Sequence, residues 1–392
     1  MNAISIYRNL KGDRSIWIVV ALLAVFSVLA VYSSAGTMAF QYRGGHTEVY
    51  LIKHGLIVLL GVSLTYICYM LHYMQYSRLA PLLMIGSVVL LIYTLFFGSE
   101  LNEARRWISI PGLQLSFQTS DFAKMALIIF VARSISTKQE VIKDLNSAFL
   151  PIIVPIVVTC VLIAPADLST AALLFLTCVV MMFIGRVALK YIALLGLLGI
   201  VGIAFLIIVG TFFPELVRLD TWISRLNEFF VNSDGGYQIQ QAKIAIADGG
   251  WFGVGPGNSV QRNYLPYPYA DFIYAIICEE YGLVGGFTII FLYLLLFLRC
   301  ISIVTKSPKT FGAILAMGLC LNLVIQAFAN IAVSLHLVPV TGLTLPLVSK
   351  GGTSMLFTCI SLGIILSVSR YIEQASEEVG KVEIKNLNEN HH

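Results

Sequence analysis

From Ile16 to Val368 the chain alternates long apolar runs with polar connections. A helix needs about 20 apolar residues to cross the roughly 30 Å hydrocarbon layer of a bilayer. Ten stretches reach or approach that length: 16–34, 52–71, 79–97, 118–134, 149–164, 168–185, 191–213, 270–301, 311–333 and 353–369. The pattern predicts an all-α polytopic membrane protein of ten transmembrane helices, with a large loop between the seventh and eighth spans. The fourth and fifth runs are short and interrupted by polar residues, as in spans that line a cavity. No repeat of fixed period is visible, which weakens an inverted-repeat transporter.

The basic residues orient these spans. One set of connections carries Arg78, Arg133, Lys138, Lys143, Arg186, Lys190, Arg299, Lys306 and Lys309, and both tails are basic as well. Short connections on the other side hold little beyond Arg43, Arg105, Arg106 and Lys350. Short loops rich in Lys and Arg stay in the cytoplasm, so both termini are expected there and the 214–269 loop outside. That loop carries Arg218, Arg225, Lys243 and Arg262, but long loops cross regardless of charge. One membrane domain is expected over 1–371, followed by a charged, flexible cytoplasmic tail over 372–392.

Composition agrees with a polytopic membrane protein rather than a soluble core. The 392 residues are 58% apolar and 12% charged, where a soluble domain has about 25% charged residues. A net charge of +4 gives no reason to expect a nucleic-acid partner. The first apolar run is long enough to span and lacks a convincing cleavage site, so it reads as a span rather than a signal peptide. All seven cysteines lie in apolar segments without CxxC or CxxH spacing. They read as small buried hydrophobes, not as metal ligands or disulfides.

Against this background the polar residues at membrane depth stand out, because an unpaired charge there costs roughly 3 kcal/mol on insertion scales. In the fourth span Asp121 and Lys124 are spaced i, i+3, close enough to pair. They are either a self-neutralising pair or, with Arg105, Arg106 and Trp107 just upstream, part of a wall for an anionic ligand. Asp167 precedes Ser169 and Thr170 and fits a helix cap. The stretch DGGWFGVGPGNS (248–259) is glycine-rich without the strand–helix frame of a dinucleotide site. It is either an anion-binding nest or a tight surface loop. LVPVTGLTLPLVSKGGTSML (337–356) breaks two apolar runs with Pro339, Gly342, Pro346, Gly351 and Gly352. It is either broken backbone facing a cavity, with Lys350 offering a cation, or a short external hairpin. Asp271 opens the eighth span, with Glu279 and Glu280 two turns deeper. Helical geometry puts Glu279, and not Glu280, on the side nearer Asp271.

Six motifs occur in order: ARRWI (104–108), QTSDFAK (118–124), PADLST (165–170), GVGPGNS (253–259), LPYPYADF (265–272) and PVTGLTLPLVSKGGTS (339–354). Together they resemble the SEDS family, the ten-span shape, elongation, division and sporulation glycosyltransferases, over most of the chain. Gln261 and Arg262 after GNS look more like the division branch than the elongation branch. The resemblance implies polymerisation of lipid II into peptidoglycan strands, with Asp271 as the essential aspartate. It implies substrate-binding positions at Arg106, Trp107, Lys124, Ser349, Gly351 and Gly352, and a class B penicillin-binding protein, with other division proteins, as partners. Tyr267, Tyr269 and Ala270 stand where the family pattern usually has Glu, His and Thr. Asp121, Thr119 and Lys350 replace Glu, Pro and Tyr.

The chemistry then expected is a general base at Asp271 and a lipid pyrophosphate leaving group. Arg105, Arg106, Lys124, Arg262 and Lys350 would stabilise its charge, alone or with a divalent cation (Mg or Mn). Trp107, Ser349, Gly351 and Gly352 would line the substrate site, and Asp121, Asp167 and Glu279 would support it. The rivals are a flippase for the same lipid-linked sugar and a non-catalytic division scaffold.

Overall fold

The computed structural model describes residues 11–34, 47–101, 104–110, 115–213, 217–231 and 234–389. Arg8 and Arg43 lie outside them. The described chain is mostly helical. Helices occupy all ten expected intervals: α1 (Arg14–Ser34), α2 (Thr47–Met70), α3 (Met74–Phe97), α4 (Thr119–Thr137), α5 (Leu150–Ile163), α6 (Leu168–Ile184) and α7 (Leu189–Phe212), then, after the long loop, Ile273–Lys306, Thr310–Ser334 and Thr353–Glu389. By length and composition, seven helices among the described residues can cross a membrane; α5 and α6 are apolar but shorter.

Three features depart from the expected pattern. The connection between α3 and α4 is a three-stranded antiparallel sheet, β1 (Ser99–Leu101), β2 (Ala104–Ile110) and β3 (Leu115–Gln118), in the order β1-β2-β3. The long loop contains two helices, α8 (Leu219–Val231) and α9 (Tyr237–Gly249). The last helix runs past the expected end of the tenth span into the segment expected to be a tail. The three helices after the loop are numbered α10, α11 and α12.

Packing ranks the helices. In the most apolar 18-residue stretch of α11, 78% of residues are buried, against 11% in α7. α11 is therefore the hub, packed against α4, α6, α10 and α12, and α7 turns its apolar side chains outward. Exposed Leu, Ile, Val and Phe side chains cover the outside of α2, α3 and α7, a surface that a bilayer solvates and water does not. At the end where α1 begins, Asp13 caps that helix through Ser15 N at 2.9 Å and pairs with Arg299 of α10 at 2.8 Å. The opposite end, where α1 and α11 stop and α4, α10 and α12 start, gathers the sheet, α8, α9 and the irregular segment 335–352.

α10 is broken near its start. Gly282 has φ 68° and ψ −169° inside the helix, a conformation that favours glycine. A Cβ there would collide with the carbonyl of Trp251. The glycine-rich loop enters this break: Val254 N donates to Glu279 O (2.9 Å), Gly255 N to Glu280 O (3.1 Å), and Leu283 N to Gly250 O (2.9 Å). The backbone groups freed by the kink are thus paired within the protein, as membrane depth requires. The loop is a structural splice into α10.

Candidate active site

Asp271 lies in a turn two residues before α10, partly buried. Three contacts fix this turn from outside. Asn330 Nδ2, on α11, donates to Asp271 O at 2.7 Å and to Leu343 O at 2.6 Å. Ser349 Oγ donates to Ala270 O at 2.6 Å, and Lys350 N donates to Tyr269 O at 2.9 Å. Segment 335–352 is therefore broken backbone packed into the protein, with Leu343, Leu345, Leu347, Val348 and Ser349 buried. It is not an external hairpin.

On the Asp271 side chain converges a residue of the long loop. A Cβ at Gly342, whose φ is +68°, would lie 3.8 Å from Asp271 Oδ2 and 3.7 Å from Arg225 Nη2. Arg225 Nη1 also donates to Thr341 O at 3.3 Å. The bare glycine thus leaves one space shared by the carboxylate and a guanidinium from α8.

Asp121 and Lys124 form the anticipated ion pair on α4 at 2.8 Å, both buried. The pair is not closed on itself. Lys124 Nζ also donates to Gln326 Oε1 at 3.3 Å, and Gln326 Nε2 donates to Thr344 O at 2.9 Å. Asp121 Oδ2 is buried and finds no hydrogen-bond partner among the described residues. The pair faces a small open groove between α4, α11 and α12, lined also by Asn322, Ser354 and Thr358. Gln326 and Asn330 sit one helical turn apart on α11, so one face of the hub helix ties this pair to the Asp271 turn through the 341–345 backbone.

Arg105 and Arg106 lie on β2, and their side chains fall outside the described residues; Arg105 pairs with Glu100 across the sheet. Trp107 is half-buried opposite Gln118. β3 is joined to α12 where Gln118 N donates to Thr353 Oγ1 at 3.2 Å, just after Gly351 and Gly352. Gly352 has φ +50°. The Lys350 ammonium lies 4.7 Å from the Tyr269 ring centroid, and Tyr267 packs edge-on to Tyr269 at 6.3 Å. Burial and the nearby Lys53 ammonium pull the Lys350 pKa below the usual lysine value.

Asp167, Glu279 and Arg262 do local structural work. Asp167 caps α6 through Thr170 N at 3.0 Å and Thr170 Oγ1 at 2.9 Å. Glu279 accepts from Val260 N (2.7 Å), Gln261 N (3.1 Å) and Ser259 Oγ. It holds the end of the glycine-rich loop. Arg262 Nη1 donates to Ser33 O at 2.9 Å, and Ser33 Oγ donates to Glu280. Loop, α1 and α10 are joined there.

Sequence reasoning missed Gln326 and Asn330. Their signal is present: with Asn322 they are three amides spaced i, i+4, i+8 in a mostly apolar span, where polar side chains cross-link helices. It also treated Arg225 as one loop cation among four. The residues around Asp271 do not fit a resident divalent cation. Among the described residues no three His, Cys, Asp or Glu side chains cluster. Tyr267 and Tyr269 offer no carboxylate or imidazole, and Arg225 shares the space beside Asp271.

Residues 13–374 match the model of the FtsW, RodA and SpoVE cell-cycle proteins. The chain is 32% identical over 357 residues to a probable peptidoglycan glycosyltransferase FtsW of Nitrosococcus halophilus, covering 89% of each. It is 32% identical over 368 residues to the stage V sporulation protein E of Bacillus subtilis, covering 93% of this chain and 98% of that one. Its fold resembles a chain of a peptidoglycan synthase complex in which polymerization and crosslinking are coordinated, with a TM-score of 0.71 at 25% identity, covering 92% of this chain and 98% of that one. It also resembles the rod shape determining protein RodA of Thermus thermophilus, with a TM-score of 0.66 at 23% identity, covering 93% and 98%. With the match running through nearly every helix, the chain belongs to the FtsW/RodA/SpoVE family of cell-cycle membrane proteins.

Proposed function

We propose that the protein polymerises lipid II into peptidoglycan glycan strands at the outer face of the cytoplasmic membrane during cell division. The observation that carries this reading is Asp271, anchored by Asn330 and Ser349 at the mouth of a broken-backbone site and linked through α11 to the buried Asp121–Lys124 pair. The similarity to probable peptidoglycan glycosyltransferases supports it.

Chain growth forms a bond between a sugar hydroxyl oxygen and an anomeric carbon, and breaks the bond from that carbon to a lipid pyrophosphate. Asp271 takes the hydroxyl proton, a role worth roughly 10²–10⁴ in rate. The pyrophosphate leaves with the electron pair of the broken bond, its charge met by Lys124, Arg105 and Arg106. Trp107, Ser349, Gly351 and Gly352 shape the wall of the site, and Lys350 adds a cation on the Tyr269 side. Asp121 sets the Lys124 ammonium. Asp167, Glu279 and Arg262 support the surrounding loops, Arg262 as a strut to α1. In this reading all ten helices of the expected spans cross the bilayer, both termini are cytoplasmic, and α8 and α9 lie outside. The partner is a class B penicillin-binding protein, in line with the likeness to a chain of a peptidoglycan synthase complex.

The test is glycan polymer formation from lipid II by the purified protein, alone and with its transpeptidase partner. Polymer from wild type and none from Asp271→Asn is the expected result. No polymer from wild type in either setting leaves the flippase and scaffold readings.

A further inference from the structure

α8 is an unusual place from which to reach a reaction centre. None of its residues is buried, and Ile223, Leu226, Phe230 and Val231 are exposed. Its apolar anchors are the partly buried Trp222, packed against the core, and Phe229, edge-on to His336 at 5.3 Å. Arg225 adds a polar tie: its guanidinium crosses to the carbonyl of Thr341 and lies over Gly342, where Asp271 Oδ2 also lies. Gly342 makes that approach possible in two ways. It adopts a φ of +68° that a side chain rarely tolerates, and it leaves unfilled the space that a Cβ would take from both charged groups.

From this arrangement we infer that Arg225 is the positioning residue for the general base, supplied by the long loop. The inference rests on the polymerase reading of Asp271. Asn330 and Ser349 grip the backbone of the turn, at Asp271 O and Ala270 O, and those two contacts leave the carboxylate torsion unset. Across the bare Gly342, the guanidinium supplies a cation facing the anionic carboxylate, the form that accepts a proton. Its planar fork also restricts the directions in which the carboxylate can turn. The base is therefore competent when α8 is seated, and the long loop is part of the catalytic apparatus rather than a tether between spans.

The experiment is steady-state polymerisation of lipid II by the purified full-length protein with its partner, for wild type, Arg225→Ala, Arg225→Lys and Asp271→Asn. A small guanidinium salt is added back at millimolar concentration. Arg225→Ala is expected to lower kcat by about tenfold to a hundredfold, the range for a displaced catalytic group, with KM for lipid II within about threefold of wild type. Arg225→Lys retains the charge and recovers part of kcat. Added guanidinium raises kcat of Arg225→Ala and not of Asp271→Asn. A role confined to holding α8 in place predicts no rescue by either route, and that result overturns the inference, as does an unchanged kcat. A raised KM with unchanged kcat makes Arg225 a substrate contact and overturns it too. If wild type polymerises and Asp271→Asn does not, any of these failures falls on Arg225 alone; if wild type makes no polymer, the polymerase reading fails first and takes this inference with it.

Discussion

Asn330 on α11 holds the backbone carbonyl of Asp271 at 2.7 Å and, with the same Nδ2, that of Leu343 at 2.6 Å. One amide thus joins the hub helix, the reactive turn and the broken segment that faces it. Leaving a buried carbonyl unpaired costs about 1–3 kcal/mol, and two lose their donor if Asn330 is truncated. Asn330→Leu is expected to lower kcat by about tenfold or more, since small displacements of catalytic groups are costly. Binding of lipid II should stay within about threefold, as measured by equilibrium binding to the purified protein. Normal turnover in Asn330→Leu would show that the turn holds its shape without α11.

The Asp121–Lys124 pair tests whether the cation serves substrate or structure. Removing one partner of a buried pair strands a charge, whereas removing both is often nearly neutral. If Lys124 only neutralises Asp121, the double change Lys124→Met with Asp121→Asn restores the polymerisation lost in Lys124→Met. The contact from Lys124 to Gln326 and the polar groove beside it favour a ligand role. The double variant is expected to fold, stay inactive and bind lipid II more weakly.

The kink of α10 gives a stability prediction. Gly282→Ala places a methyl group against the backbone of Trp251 in a left-handed conformation. It is expected to lower the yield of folded protein in detergent and its thermal unfolding midpoint, because strain and steric conflict act together. Gly86 is a helical glycine with open space around its Cβ, so Gly86→Ala serves as the control and should leave both unchanged.

Orientation is open to direct labelling. The native cysteines are buried, apart from a partly buried Cys160, so they contribute little background. A cysteine at Phe252, 85% exposed in the loop after α9, should react with a membrane-impermeant thiol reagent in intact cells. One at Glu140, exposed in the connection after α4, should react only after lysis. The reverse pattern would put Asp271 on the cytoplasmic side and remove the outer-face site.

Local chemistry made part of this molecule legible in its sequence. Long apolar runs give helices whatever their neighbours, so all ten intervals are helical. The i, i+3 spacing of Asp121 and Lys124 sufficed for their ion pair, and Asp167 before Thr170 sufficed for a cap. Less was legible where a residue's partner is remote in sequence. Glu279 reads as an acid on the side of the helix nearer Asp271, yet its carboxylate binds loop groups from residues 259–261. Nothing within α10 signals that partner. Arg225 reads as a solvated loop cation until α8 is folded against Gly342, far later in the chain. The sheet at 99–118 escaped notice because its strands are short and lie between two apolar helices.

Residues 249–255 are synthesised before Gly282. The backbone that pairs with the break in α10 therefore exists before the second half of that helix does. When the helix enters the bilayer, the carbonyls of Glu279 and Glu280 need not wait in hydrocarbon for a partner made later in the chain. Loop and helix form as one unit of assembly, and synthesis from the N-terminus delivers its parts in the order in which their hydrogen bonds are needed.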